Sequence, residues 1–497
     1  MKNMNRINRY LLFLLLTATA FIACRKDPPA PTPQPADSTA QQIEEHLLVA
    51  ITDSATYEPE DLVPAICDDP MFKYIDYVGG AAATPIKGLF RIAGTSRIPK
   101  MDSLFDARVG RAADGSRQWQ INTYSFTYNS TSAAGEPVVL SARITFPTTT
   151  NGTVHQLSTL SLFAHQMLYS NTWAPSNSLS TLDARALYNS AVISPDFQGV
   201  GIDYGVHYSA FISYGALAQQ MTDCAKAALE VMQQHGVSLA PDGHSTLWGC
   251  SECGPAALAF QRYYEESATS TFRNALRLTS SFAIASPLCI PRNVRYYDLH
   301  PDEDGLAYIL IPQLIALTPA QLHGYNYSDF MPQWMNTPYP TKNGDLSYIA
   351  SLNLLLPFPK ENLPEGFNAI SMNQYVAPDM LGEDGHFDYT NEKMNTWLQI
   401  VEEQTSLDGF HPRIETYIAH NPDDEYFDFE FIRDAYNGMR QAPDGLHENI
   451  HFFEVPMVSS LARMLGTYHT ASATLSLFYM ACAPEPADMG KFYTLAD

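Results

Sequence analysis

The chain has 497 residues, 45% of them hydrophobic, enough for a large core in one big domain with an insertion or in two domains. Its 53 acidic residues against 29 basic ones give a formal charge of −24. That balance argues against nucleic acid as a partner, and against docking on anionic lipid through the folded surface.

Lys2, Arg6 and Arg9 precede an apolar run over 10–23, and Cys24 follows it. This is the pattern of a signal peptide, and the run is too short to span a membrane comfortably. Phe21-Ile22-Ala23-Cys24 resembles a bacterial lipobox. The resemblance implies cleavage before Cys24 and lipidation of its thiol. Residues 1–23 are therefore expected to be a lipoprotein signal peptide, and the mature chain to sit in the bacterial cell envelope, on the periplasmic or surface face of the outer membrane. Residues 24–40 form a Pro-rich tether: five prolines between 28 and 35 remove donors and favour extended backbone. The other cysteines, at 67, 224, 250, 253, 289 and 482, match neither a disulfide framework nor a zinc pattern.

Residues 41–110 give little periodic signal, although 43–51 has a helical look; the rest of this stretch is expected to wrap the main domain. Beyond Gln118, Tyr124, Phe126 and Tyr128 alternate, as do Leu140, Ala142, Ile144 and Phe146, with a turn between the two runs. They read as an antiparallel pair. Strands at 157–163 and 191–194 follow, then a helix over 215–234 with Leu217, Met221, Ala225, Ala228 and Met232 on one face and Gly236 as its stop. Antiparallel strands leading into βαβ units predict a mainly parallel sheet covered by helices on both faces.

Thr246-Leu247-Trp248 reads as a buried strand, followed by the turn Gly249-Cys250-Ser251-Glu252-Cys253-Gly254 and a helix with Pro255 in its first turn. Strand, sharp turn carrying Ser251, then helix is the setting of a nucleophile elbow, with the last glycine displaced by one position to Gly254. Cys250 and Cys253 also have the spacing of a redox dithiol, but no thioredoxin-like pattern surrounds them; packing as small apolar residues fits better.

A serine nucleophile needs a base, and an acid to orient that base. Residues 413–420 form a strand candidate running into Asn421-Pro422-Asp423-Asp424-Glu425-Tyr426-Phe427, and Phe431, Ala435, Tyr436 and Met439 mark the next helix. Asp424 is the expected acid, with Asp423 as its rival. Residues 449–455 read as the last strand, and a helix is expected from about Thr474. His469, in the loop between them, is the expected base; His451 lies inside a strand and His447 before it.

Together these features resemble the α/β-hydrolase superfamily, and more narrowly its secretory lipase and esterase branch with related bacterial exported lipoprotein hydrolases. Phe163-Ala164-His165-Gln166-Met167 is similar to that branch's strand-end His-Gly oxyanion loop, with Gln166 in place of Gly. Residues 193–201 resemble its Pro-Asp-Tyr-x-Gly-x-Gly segment. Asp423-Asp424-Glu425-Tyr426-Phe427 resembles its acid loop, with Asp428 where Pro is common, and Cys253 replaces the elbow's closing Gly. The resemblance implies an α/β-hydrolase fold divided into 41–287 and 411–497, with an inserted helical cap over 288–410. It implies a lipid-anchored serine hydrolase that cleaves small-molecule or lipid carboxylic esters through Ser251, Asp424 and His469. The oxyanion donors would be the backbone N–H of Glu252 and that of Gln166 or Met167. A serine peptidase of the same fold and a non-catalytic surface-binding lipoprotein are the alternatives. No cofactor is expected, and no metal: Asp302-Glu303-Asp304-Gly305 lacks the downstream Glu of a calcium loop. The cap, with apolar helical pieces at 307–312 and 397–401, serves either as a lid or as a helical subdomain.

Overall fold

The computed structural model describes residues 46–69, 83–165, 171–204, 206–207, 209–210, 213–299, 327–330, 338–341, 344–347, 376–455 and 468–490. The expected signal peptide, Cys24, the tether, Gln166, Met167, the acidic stretch 302–305 and the piece at 307–312 lie outside these residues.

In chain order the elements are β1 (Leu48–Tyr57), α1 (Pro59–Asp68), α2 (Ala83–Thr95), α3 (Ile98–Val109), β2 (Trp119–Thr131), β3 (Pro137–Thr149), β4 (His155–Ala164), β5 (Ser190–Pro195), α4 (Tyr214–Gln234) and β6 (Val237–Cys250). After these come α5 (Gly254–Glu266), α6 (Ser270–Leu276), β7 (Leu278–Ile284), α7 (Ile290–Leu299), α8 (Glu392–Thr405), β8 (Glu415–His420), α9 (Phe429–Arg440), β9 (Ile450–Glu454) and α10 (Tyr468–Cys482). One nine-stranded sheet runs in the order β1-β2-β3-β5-β4-β6-β7-β8-β9. The pairs β1/β2, β2/β3 and β3/β5 are antiparallel; every pair from β5 to β9 is parallel.

The expected hairpin is present, with Phe126 opposite Ala142 and Tyr128 opposite Leu140. Its even-numbered residues join the core beneath α4 and α5. The odd face is polar yet also buried: Thr123, Ser125, Thr127, Ser141, Arg143 and Thr145 are each at most 9% exposed. The alternation therefore separates two kinds of interior here, not interior from solvent. The helix α4 buries the five residues of its expected face, and Gly236 at φ 67 follows its end.

Residues 46–51 do not continue a helix. Leu48 begins β1, an edge strand antiparallel to β2. Register shifts at Leu48/Ala50 and Ile51/Asp53 place one extra residue in each step. Leu48 and Ile51, both packed on the core, thus stand three apart where a regular strand would have them two apart. That spacing imitates a helix. At its start β1 is held by Glu230 of α4, whose Oε1 accepts the N–H groups of Leu47 (2.8 Å) and Leu48 (3.3 Å).

The helices α1–α3 share a cluster with Trp119, Ile121 and Leu179, so this stretch wraps the sheet as expected. On the same face α10 packs Leu477 and Met480 against Phe163, Trp248 and Phe282. On the opposite face α7 and α8 pack Val294 and Trp397 in one cluster with Ile418 of β8, Ile432 of α9 and Ile450 of β9.

Candidate active site

The parallel strands end level with one another. Cys250 pairs with Ile284, Ile284 with Ala419, and His420 with Glu454. Loops after β6 and β8 therefore leave the same edge of the sheet, two strands apart.

Ser251 follows β6 directly, with φ at 50°. For a residue with a Cβ this left-handed backbone costs on the order of 1–3 kcal/mol and persists only where surroundings enforce it. The surroundings here are tight. A Cβ on Gly249 would lie 2.8 Å from Ala257 Cβ, the Cys253 carbonyl oxygen and Gly254 Cα; one on Gly254 would collide with the Ser286 hydroxyl. Both glycines are thus sterically required, and the displaced Gly254 has its own packing reason. Cys253 fits between them as a buried apolar residue.

Five non-glycine residues have positive φ among the described residues: Asn189, Phe197, Ser251, Arg277 and Ala285. Asn189 and Arg277 are helix C-caps on the opposite edge of the sheet, an ordinary use of this conformation. Phe197, Ser251 and Ala285 all lie just beyond the carboxyl ends of β5, β6 and β7. Strain is concentrated at the edge where Ser251 sits.

The thiols of Cys250 and Cys253 are buried, unpaired by disulfide, and sit in different core clusters. Burial pushes Cys250 up to about 12 and Cys253 well above its ordinary value. Neither has the depressed thiol of a redox pair.

Asp424 is turned inward and buried, whereas its neighbour Asp423 is exposed. Asp424 Oδ1 accepts the N–H groups of Tyr426 (2.8 Å) and Phe427 (3.1 Å), and Oδ2 lies 3.8 Å from His420 Nε2. His420 donates from Nε2 to the Phe427 carbonyl at 2.8 Å. Asp428, the departure from the expected proline, caps α9 by accepting from Glu430 and Phe431 N–H.

His469 is not in a loop. The helix α10 begins at Tyr468, six residues before the expected start, and holds His469 as its second residue; the His469 side chain lies outside what is described. The acid loop grips this helix on both sides of position 469. Tyr468 N–H donates to Glu425 Oε1 at 2.7 Å, and Asn421 Nδ2 donates to Ser472 Oγ at 3.0 Å. These two contacts replace a free loop with an anchored first turn. Asn421 and Glu425 carry no catalytic pattern of their own; the signal that marks them is that both are polar residues flanking the candidate acid.

Glu252 is the second residue of the helical turn Ser251–Cys253, so its N–H is one of the donors that no intrahelical carbonyl can reach. Residue 252 as a whole is partly exposed, but its carboxyl is enclosed and Oε2 has no hydrogen-bond partner. Burial raises this carboxyl to about 8. At neutral pH it is largely protonated and does not place a full charge beside the nucleophile. On the far side, His165 at the end of β4 donates from Nε2 to the Asp196 carbonyl at 3.1 Å. Asp196 is fully buried and accepts from Ser141 Oγ and from Ser176 N–H (2.8 Å). A Cβ on Gly201 would collide with that carboxylate, which accounts for the last glycine of the segment.

No protein-family model matches the chain, and no curated protein matches it in sequence. Solved structures do match. The rice cell wall degrading esterase LipA from Xanthomonas oryzae superposes with a TM-score of 0.54 at 16% identity, over 78% of this chain and 94% of that one. A protein of Legionella pneumophila named as a hydrolase superposes with a TM-score of 0.51 at 13% identity, over 74% of this chain and 90% of that one. The fold is the α/β-hydrolase fold. In this fold the antiparallel end of the sheet is β1–β3, and Ser251 and Asp424 leave the parallel part at its carboxyl edge. Among the described residues, no group of three or more His, Cys, Asp or Glu is arranged to hold a metal ion.

Proposed function

We propose that this chain is a serine hydrolase of carboxylic esters, held in the bacterial cell envelope by a lipid on Cys24. The observation that carries the reading is Ser251: a non-glycine residue at φ 50°, between a central parallel strand and a helix, at the sheet edge that also carries the buried Asp424. Left-handed backbone at that point lifts a side chain clear of both elements. The esterase named among the structural neighbours has the same fold, which agrees with ester chemistry.

In the proposed mechanism His469 takes the proton from Ser251 Oγ as the oxygen attacks the ester carbonyl. Asp424 holds the imidazole and stabilises its cation. The oxyanion is met by the Glu252 N–H and by that of Gln166 or Met167. The alcohol leaves with the proton from His469. A water, deprotonated by His469, then releases the acid and restores Ser251. The cap is drawn from within the segment 288–410, whose helices α7 and α8 pack against the sheet.

A fluorophosphonate probe and p-nitrophenyl esters of graded acyl length test this. Ser251→Ala and His469→Ala should each lower kcat by about 10⁴–10⁶, and Asp424→Asn by roughly 10²–10⁴. Asp423→Asn should be mild. If Asp423→Asn is the severe variant, the acid is its neighbour. Turnover of peptides without turnover of esters makes the chain a peptidase. A wild type that takes no label and cleaves neither ends the hydrolase reading and leaves a binding lipoprotein.

A further inference from the structure

The antiparallel end of the sheet holds a cavity of about 340 Å³ away from the candidate active site. Its floor is the polar face of β2 and β3. Its wall is Tyr57 of β1, and its rim carries Asp53, Asp68 and Asp69. The strand β3 lies three positions from β6 in the sheet, about 14 Å at the usual strand spacing. The proposed catalytic groups make no use of this space.

Arg143 forms part of the cavity lining and is only 9% exposed. A guanidinium has five N–H donors. Here Nη2 donates to the Ser176 carbonyl at 3.2 Å, Nε has no partner, and among the described residues no carboxylate lies within 4 Å. The Ser176 carbonyl is shared, since it also accepts from Ser125 Oγ at 2.6 Å. A buried cation this poorly paired costs several kcal/mol unless an anion reaches it. Asp69 is already engaged: it accepts from Ser178 Oγ and from Leu179 N–H at 2.8 Å. Asp53 and Asp68 stand exposed at the mouth, Asp68 with Arg91 Nη2 3.9 Å from its carboxylate in a solvent-exposed pair.

The cavity therefore has a cationic floor under an anionic rim. A plain carboxylate would satisfy Arg143 but meet the aspartates on entry. A neutral polyol would leave the guanidinium charge uncompensated. A molecule with an anion at one end and a cation at the other matches both, and the volume is at the small end of ligand pockets. We propose that this cavity is a second, non-catalytic site for a small zwitterion of the α-amino-acid class. The carboxylate pairs with Arg143 and the ammonium group with the rim aspartates.

Isothermal titration of the full chain with glycine, glutamate and lysine tests this, with acetate, methylammonium and glucose as controls. At least one amino acid should bind saturably, and each control should bind at least about tenfold more weakly, since each lacks one or both of the two charges. Arg143→Gln should abolish the signal. Because Arg143 is buried, that variant can fail to fold. The exposed pair Asp53→Asn with Asp68→Asn then decides, and should weaken amino-acid binding by roughly threefold or more. Ser251→Ala should bind as the wild type does, which separates this site from substrate capture at the elbow. Absence of saturable binding by any amino acid, any of the three controls binding equally well, a folded Arg143→Gln variant that still binds, or a rim variant with unchanged affinity would overturn the proposal.

Discussion

At the scale of single residues, Glu252 makes stability depend on pH in an unusual direction. Its carboxyl keeps a proton up to about 8 in the folded chain, against an ordinary value of 4.5. Between those values the native state binds a proton that the unfolded chain has released. Stability from this group must therefore fall as pH rises from 4.5 to 8, and stay level outside that window. The full effect is on the order of a few kcal/mol. Glu252→Gln should be more stable than the wild type at pH 8.5 and gain little at pH 4.5, as read from urea midpoints. Equal pH slopes for the two proteins would refute the burial argument. Ser251 was legible in the sequence because an elbow is a local pattern: small residues around a serine, between a strand and a helix. The state of the Glu252 carboxyl was not, since burial depends on which residues close over it.

At the scale of elements, the C-terminal end of α10 rests on one cation. Arg185 is 1% exposed. It donates to the carbonyls of Met480 (2.7 Å), Ala483 and Pro484 (2.8 Å) and to Ser161 Oγ on β4 (2.9 Å), and its guanidinium lies 4.4 Å over the Trp248 ring. These are carbonyls that a helix end cannot satisfy by itself. Arg185→Met should cost about 3 kcal/mol or more in urea unfolding, because buried acceptors lose their donor. A loss under about 1 kcal/mol would mean that other groups or water satisfy them. No local pattern announces such a residue; the carbonyls it serves are nearly 300 positions away. The elements that were legible, β2 to β6, α4, β8, α9 and β9, carry their periodicity within themselves. The edge strand β1 was not, because two bulges reset its period, and α1 was not, because it is short and carries Pro59 at its start and Pro64 in its interior, where helix propensity is lowest. The start of α10 was missed for a third reason: Glu425 and Asn421, far along the chain, hold its first turn.

At the scale of the whole molecule, the formal charge of −24 opposes contact with anionic lipid, so the proposed attachment would depend on the lipid on Cys24. Cys24→Ser should shift the protein from the membrane fraction to the soluble fraction and abolish lipid labelling. Retention of the variant in the membrane fraction would end the lipoprotein reading. The strand β1 gives that attachment a mechanical side. The chain enters the described fold at His46, next to the Glu230 grip on Leu47 and Leu48, and continues as a strand paired with β2 from Leu48 to Tyr57. In the proposed lipid-anchored state, drag on the body would be carried through this segment. Pulled along its axis, the β1–β2 ladder shares the load across all its rungs at once; pulled sideways, the Glu230 bonds take it first. Under a sideways pull the edge strand would act as a strain relief, its outer bonds giving before force reaches the parallel strands that carry Ser251 and Asp424.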